Sequence, residues 1–231
     1  SLCERFPATL PGSICASPPD PAQIRRLLGP EYTIVCEARN AFECIAVRLD
    51  AGGIVGCDPG ELCWSDRVDD QLEGCRWNVP VMAATVQVKG RTFDVVNAHP
   101  ESRSAACRLA SIRQIFEGHH LVQQENVLLL GDFNMDPWRE DDVSTRYWNQ
   151  QVGVPGVSSY LYHSGIAERS ERNPPYPTLR YFFFERTYDH VVSNFLEGAT
   201  QVLGESPGTA GLDGGRGMDH IAVYGRLSFR D

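Results

Sequence analysis

Apolar residues fall in short, strand-length runs along most of this chain, and only two stretches repeat with helical spacing. Tyr32 to Cys36 and Cys44 to Leu49 are rich in β-branched and apolar residues, with Arg39-Asn40 between them, which predicts a hairpin. Val79 to Val88 and Thr92 to Ala98 predict a second hairpin that turns at Lys89-Gly90. Val127 to Leu130 is an unbroken apolar run, the pattern of a strand buried on both faces. Arg180 to Phe184, His190 to Ser193, Ile221 to Tyr224 and Leu227 to Phe229 complete the predicted strands. Asp20-Pro21 opens a short helix with Ile24, Leu27 and Leu28 on one face, and Gly29-Pro30 ends it. Ser104 caps a longer helix running to about Glu117, apolar at Leu109, Ile112 and Ile115 or Phe116.

The connections are polar. Residues 5–21 are rich in proline and small residues and read as an irregular segment. Residues 50–78 are acidic and cysteine-bearing, and read as a long, stapled surface insertion. The stretch after Asp136-Pro137 carries few periodic signals, and residues 204–217 form a glycine-rich loop with no phosphate-cradling pattern. Strands and helices alternate irregularly, with several hairpins. The expected class is α+β, or an α/β sandwich, of two packed mixed β-sheets flanked by helices. A length of 231 residues suits one such domain spanning 1–231.

Composition narrows the function. The net charge of −9 argues against non-specific nucleic-acid binding through a basic surface. It does not exclude a nuclease, because a bound metal supplies local positive charge. No run approaches the roughly 18 apolar residues that span a membrane. Eight cysteines, with no Cys-x-x-Cys pair and none near a histidine at finger spacing, predict disulfides and an oxidising compartment. Cys57 and Cys63 are spaced to close a small loop, and Cys36 and Cys44 to bridge a hairpin; the connectivity stays open.

Four short segments could carry chemistry. Gly131-Asp132-Phe133-Asn134 follows the buried strand, and Asp132 and Asn134, two apart, share one side of an extended chain. These are also turn-forming residues. Asn97 and His99 end another apolar strand with the same spacing; a satisfied edge histidine would look alike. Tyr188-Asp189-His190 opens a third strand, and Asp219-His220 follows the glycine-rich loop.

Each signal alone is modest, but their order resembles the endonuclease/exonuclease/phosphatase superfamily, which includes DNase I-like nucleases. The resemblance implies a four-layer DNase I-like α/β sandwich with the site at one edge of the packed sheets. By it, His99 contacts the scissile phosphate. Asp132 orients or deprotonates the attacking water, or acts as the acid, and Asn134 holds phosphate oxygens or metal. Asp219 is a metal-linked carboxylate, His220 binds or protonates the phosphate, and Asp189 orients that histidine. Magnesium or manganese is the expected cofactor, since carboxylate and amide oxygens suit hard cations.

The family's first metal-binding glutamate ends an early strand. Glu37 follows a good strand, but the next strand begins too soon for the intervening helix. Glu4, in Leu2-Cys3-Glu4, is followed by loop, helix and hairpin in the family order, and is the expected metal ligand. Glu43 resembles the glutamate that supports the catalytic histidine; pairing with His99 would hold its ring and raise its pKa. Asn97, with Arg39 and Asn40 at the hairpin tip, is a candidate substrate contact, although a plain turn also explains the tip. With Glu4 as ligand, the family's still earlier strand is missing. An additional N-terminal segment, from this polypeptide before processing or from a separate one, is therefore expected to complete the sheet.

The first expectation is a secreted or periplasmic phosphodiesterase acting on DNA. The second keeps the chemistry on a phospholipid or a small phosphoester, which the acidic 50–78 segment disfavours. The third is a catalytically silent binding protein with the same fold.

Overall fold

The computed structural model describes residues 24–25, 28–38, 43–70, 72–75, 81–118, 120–138, 140–152, 161–162, 179–181, 184–202 and 223–230. Ile24, Arg25 and Leu28 are helical. Gly29, at φ 84°, closes that turn by donating its N–H to the Arg25 carbonyl at 2.9 Å. A left-handed residue at this position is the common way for a helix to stop. The segment around Glu4, and the rest of the first helix, lie outside the described residues.

Two mixed sheets dominate. In the smaller, β1 (Tyr32–Glu37) pairs antiparallel with β2 (Cys44–Arg48) and parallel with β4 (Leu62–Ser65). In the larger, six strands run in the order β3 (Gly52–Ile54), β5 (Met82–Val88), β6 (Arg91–Ala98), β7 (Val127–Asp132), β11 (Asp189–Ser193) and β8 (Leu161–Tyr162). Only β6 and β7 run parallel there. Helix α1 (Ala105–Glu117) makes the crossover between them, as a parallel pair requires. Helix α2 (Val143–Val152) packs beside it. Two ribbons complete the fold: β9 (Leu179–Tyr181) with β10 (Phe184–Arg186), and β12 (Leu196–Val202) with β13 (Val223–Phe229).

Strand alternation divides the interior into two cores. Ala83, Val96, Ala98 and Leu129 face α1 and α2, meeting Ile112, Ile115, Trp148 and Val152. Met82, Ala84, Val86, Phe93 and Val95 point the other way, against Val35 and Ile45 of the smaller sheet. This makes an α/β sandwich of two packed sheets with helices outside. Strand β7 is covered on both faces, as its apolar run predicts: Leu129 enters the helix-side core, while Leu128 and Leu130 pack towards the second sheet.

Several elements depart from the expectation. The 50–78 segment is not merely a surface insertion. Its β3 extends the larger sheet, its β4 extends the smaller, and Arg67 forms a 2.7 Å ion pair with fully buried Asp94. The stretch after Pro137 holds helix α2, whose buried face is built from Tyr147, Trp148 and Val152. Strand β12 was not foreseen, and the two last predicted strands are one, β13. Among the described residues, three disulfides join Cys36 to Cys44, Cys57 to Cys63 and Cys75 to Cys107, and no described cysteine is unbonded. The first bridges opposed residues of β1 and β2, and the last staples the 50–78 segment to α1.

Candidate active site at the ends of β6 and β7

Because β6 and β7 are neighbours, with Ala98 opposite Gly131, the chain delivers His99 and Asp132 side by side. Strand β11 returns antiparallel and sets Asp189 opposite Asp132. Three strand ends thus place a histidine and two carboxylates at one edge of the sheet.

The join depends on Gly131. Its φ is 129°, and a Cβ there would lie 2.2 Å from the Ala98 carbonyl oxygen and 2.8 Å from the Ala98 nitrogen. Only glycine permits so close an approach of the two backbones. Asn134 also has a positive φ, 51°, which asparagine tolerates better than most residues. Its backbone N–H donates to Asp132 Oδ1 at 2.8 Å, and its side-chain amide donates to the Pro100 carbonyl at 3.0 Å. The segment is thus a tight turn, as one of its two sequence readings expects, and it sets Asp132 and Asn134 at the strand end.

His99 stands between two carboxylates. Its Nδ1 lies 3.4 Å from Glu43 Oε1, and its Nε2 lies 3.6 Å from Asp132 Oδ2. The imidazole is 41% exposed, whereas Glu43 and Asp132 are 13% and 17% exposed, so the histidine is the member that meets solvent. The other oxygen of Glu43 accepts a 2.6 Å hydrogen bond from the Asn97 amide, which also reaches the Cys44 carbonyl at 3.3 Å. Asn97, a candidate substrate contact, thus turns its amide towards Glu43.

The Tyr188-Asp189-His190 motif divides in two. Asp189 is half-buried at the strand end near Asp132. His190 points into the core among Phe133, Trp138 and Trp148, with its Nε2 3.0 Å from the Met135 carbonyl. Burial drives its pKa down to about 4, against the opposing pull of the Met135 carbonyl and the Asp189 charge. A neutral ring that donates to this carbonyl holds the backbone just after the Asp132 turn. The same segment is tied to β11's approach by Phe133 N–H to the Tyr188 carbonyl at 2.8 Å and Thr187 N–H to Asp136 Oδ2 at 3.1 Å.

A buried arginine braces the other side. Arg108 donates to the Glu101 and Ser102 carbonyls at 3.2 and 3.1 Å, to Ser144 Oγ at 3.0 Å and to Asp142 Oδ2 at 2.5 Å. It joins the loop after His99 to the start of α2. Burial works against ionised Asp142, but the Ser144 hydroxyl, the Thr145 amide and Arg108 hold its pKa down to about 2. Arg108 was not among the sequence candidates. A signal for it exists: it falls four residues before Ile112 on the buried face of α1, where a charge needs partners.

Glu4, Arg39, Asn40, Asp219 and His220 lie outside the described residues. Among the described residues, no group of three or more histidine, cysteine or acidic side chains is gathered closely enough to hold a metal ion by itself.

No protein-family model matches the chain, and no curated protein matches it in sequence. Solved structures do match it in fold. Zebrafish (D. rerio) TDP2 complexed with single-strand DNA product gives a TM-score of 0.61 at 14% identity, over 90% of this chain and 81% of that one. An endonuclease/exonuclease/phosphatase family protein from Bacteroides thetaiotaomicron gives 0.58 at 18% identity, over 91% and 79%. The mannosyl-6-phosphatase Bt3783 from Bacteroides thetaiotaomicron VPI-5482 gives 0.57 at 16% identity, over 90% and 80%. At these identities the likeness is one of fold, and by that likeness the chain has the DNase I-like sandwich of the endonuclease/exonuclease/phosphatase superfamily.

Proposed function

We propose that the chain is a divalent-metal-dependent phosphoesterase that cleaves phosphodiesters in DNA, exported to an oxidising compartment outside the cytoplasm. The observation that carries this reading is the exposed His99, held between Glu43 and Asp132 at the end of parallel strands. A phosphodiester is anionic and repels nucleophiles, so its hydrolysis needs an oriented water and donors for the developing charge. Glu43 at Nδ1 fixes the orientation of the His99 ring, and the exposed ring is the group that would meet a phosphoryl oxygen. Asp132, beside Nε2, is the carboxylate for the attacking water, and its second oxygen is anchored by the Asn134 backbone. The Asn134 side-chain nitrogen is committed to Pro100, so its oxygen is the end offered to a cation.

The donor chemistry fits a hard cation. Asp132, Asp189 and Asn134 offer oxygens, and no described thiol is available to favour a softer metal. Glu4 and Asp219 are the residues that would hold magnesium or manganese. When bound, the ion polarises the phosphoryl oxygen and neutralises charge. Asp189 and His220 would complete the acid–base set. The three disulfides support export, because such bridges persist in oxidising compartments. Among solved structures of this fold, one holds a DNA product and another is a mannosyl-6-phosphatase, so fold alone does not select the substrate.

The test is plasmid hydrolysis in magnesium or manganese, with and without chelator, beside His99→Ala and His220→Ala. Chelator-sensitive nicking that both variants lose is the expected result. Intact plasmid with turnover of p-nitrophenyl phosphate would move the substrate to a monoester. No turnover of either, with no metal bound, would leave the silent binding protein.

A further inference from the structure

We propose that Asn97 is a positioning residue for Glu43 and, through Glu43, for the His99 ring. The inference rests on the catalytic reading of His99 given above and adds a third member to its support. Asn97 lies on β6 facing the same way as Phe93 and Val95, towards the second sheet. From there its amide crosses between the sheets and spends both hydrogens on one short segment, one on Glu43 Oε2 at 2.6 Å and one on the Cys44 carbonyl at 3.3 Å. Glu43 is then held at both oxygens, by Asn97 at Oε2 and by His99 at Oε1.

The need for such a hold follows from the chemistry of glutamate. Its side chain has three rotatable bonds, and fixing it costs rotamer entropy. Glu43 precedes the first residue of β2, near the tip of a hairpin. A carboxylate there would gain hydration and freedom by swinging outwards. The 2.6 Å bond from Asn97 opposes that swing, and the bond to the Cys44 carbonyl fixes the backbone from which Glu43 grows. The Cys36–Cys44 disulfide ties the same backbone to β1. Asn97 also lies two residues before His99 on β6, so one strand supplies both the histidine and the clamp on its partner. A donor is required at this position: a carboxylate of the same shape would face Glu43 with like charge.

A double-mutant cycle separates this role from a substrate contact. Asn97→Ala is expected to lower kcat about tenfold with KM nearly unchanged, the effect of losing an orienting hydrogen bond worth about 1.4 kcal/mol in the transition state. Asn97→Asp should lose more. In a Glu43→Ala background, Asn97→Ala should have no further effect, because residues acting through one partner are not additive. Thermal unfolding of each variant identifies loss by misfolding, and Asn97→Asp carries the same cycle if Asn97→Ala does not fold. Independent, multiplying losses would overturn the proposal, as would a KM increase with kcat unchanged or full activity in Asn97→Ala. His99→Ala is run alongside. If it is inactive while the Asn97 and Glu43 losses multiply, only the positioning role fails. If it is fully active, the catalytic reading of His99 fails first.

Discussion

Gly131→Ala tests whether the close contact of β6 and β7 sets the site. The Ala98 carbonyl oxygen would lie 2.2 Å from the added Cβ, against the 3.4 Å at which ordinary contact begins. The neighbouring atoms are backbone in a sheet, so relief requires the two strands to part by about 1 Å, rather than a side chain to rotate. Alanine must also hold a φ of 129°, which glycine alone adopts easily. Forcing a residue into such a region costs on the order of 1–3 kcal/mol. A chain of this size loses about 2–4 °C in Tm for each kcal/mol. The functional effect should be larger than the stability effect. His99 follows Ala98 directly and Asp132 follows Gly131, so parting these strands widens the 3.6 Å gap between Nε2 and the carboxylate. A misplacement of about 1 Å in catalytic geometry costs roughly 100-fold. Melting curves measure the first effect, and initial rates on a soluble phosphodiester measure the second. Activity near that of the parent chain, with an unchanged Tm, would refute the geometric argument.

Two further outcomes test the braces around the site. Arg108→Ala leaves Asp142 without its cation and two loop carbonyls without a donor, and should cost about 3 kcal/mol in urea unfolding, as breaking buried ion pairs does; an unchanged urea midpoint would show that the bridge carries no stability. His190 ordinarily titrates near 6.5 and is held down to about 4 in the fold, so the unfolded chain takes up the proton first. Stability from this group is therefore complete above pH 6.5 and declines as pH falls towards 4, by about 3 kcal/mol at most. Unfolding midpoints at pH 7 and pH 5 should differ, and His190→Gln should flatten the difference; equal midpoints in the parent chain would contradict it.

The placement of part of the candidate site was legible because strand periodicity is local. The apolar runs of β6 and β7 predicted two strand ends, and the polar residues that break them, Asn97, His99, Asp132 and Asn134, sit there. The spacing of Cys36 and Cys44 and of Cys57 and Cys63 allowed the bonds that formed, while leaving the connectivity open. Helix α2 was obscured because its buried face mixes aromatic residues with Ser144 and Thr145, which an apolar count discards. The 50–78 segment misled for a related reason. Asp69 and Ser65 are polar yet buried, and Arg67 is largely covered, because the Val81 N–H donates to Asp69, Ser65 donates to the Ala83 carbonyl and Asp94 pairs with Arg67. Arg108 was passed over for the same cause.

By itself, the sequence determined where strands end and which side chains stand at those ends, because side-chain alternation and turn chemistry act within a few residues. It also determined that Gly131 and Asn134 could take the backbone angles their turn requires. Only the tertiary structure decided which ends would meet. Glu43 and Asn97 are 54 residues apart and come together because the two sheets pack face to face. Their meeting depends on how far one sheet slides over the other, and that is set by the summed packing of the core between them rather than by any local pattern.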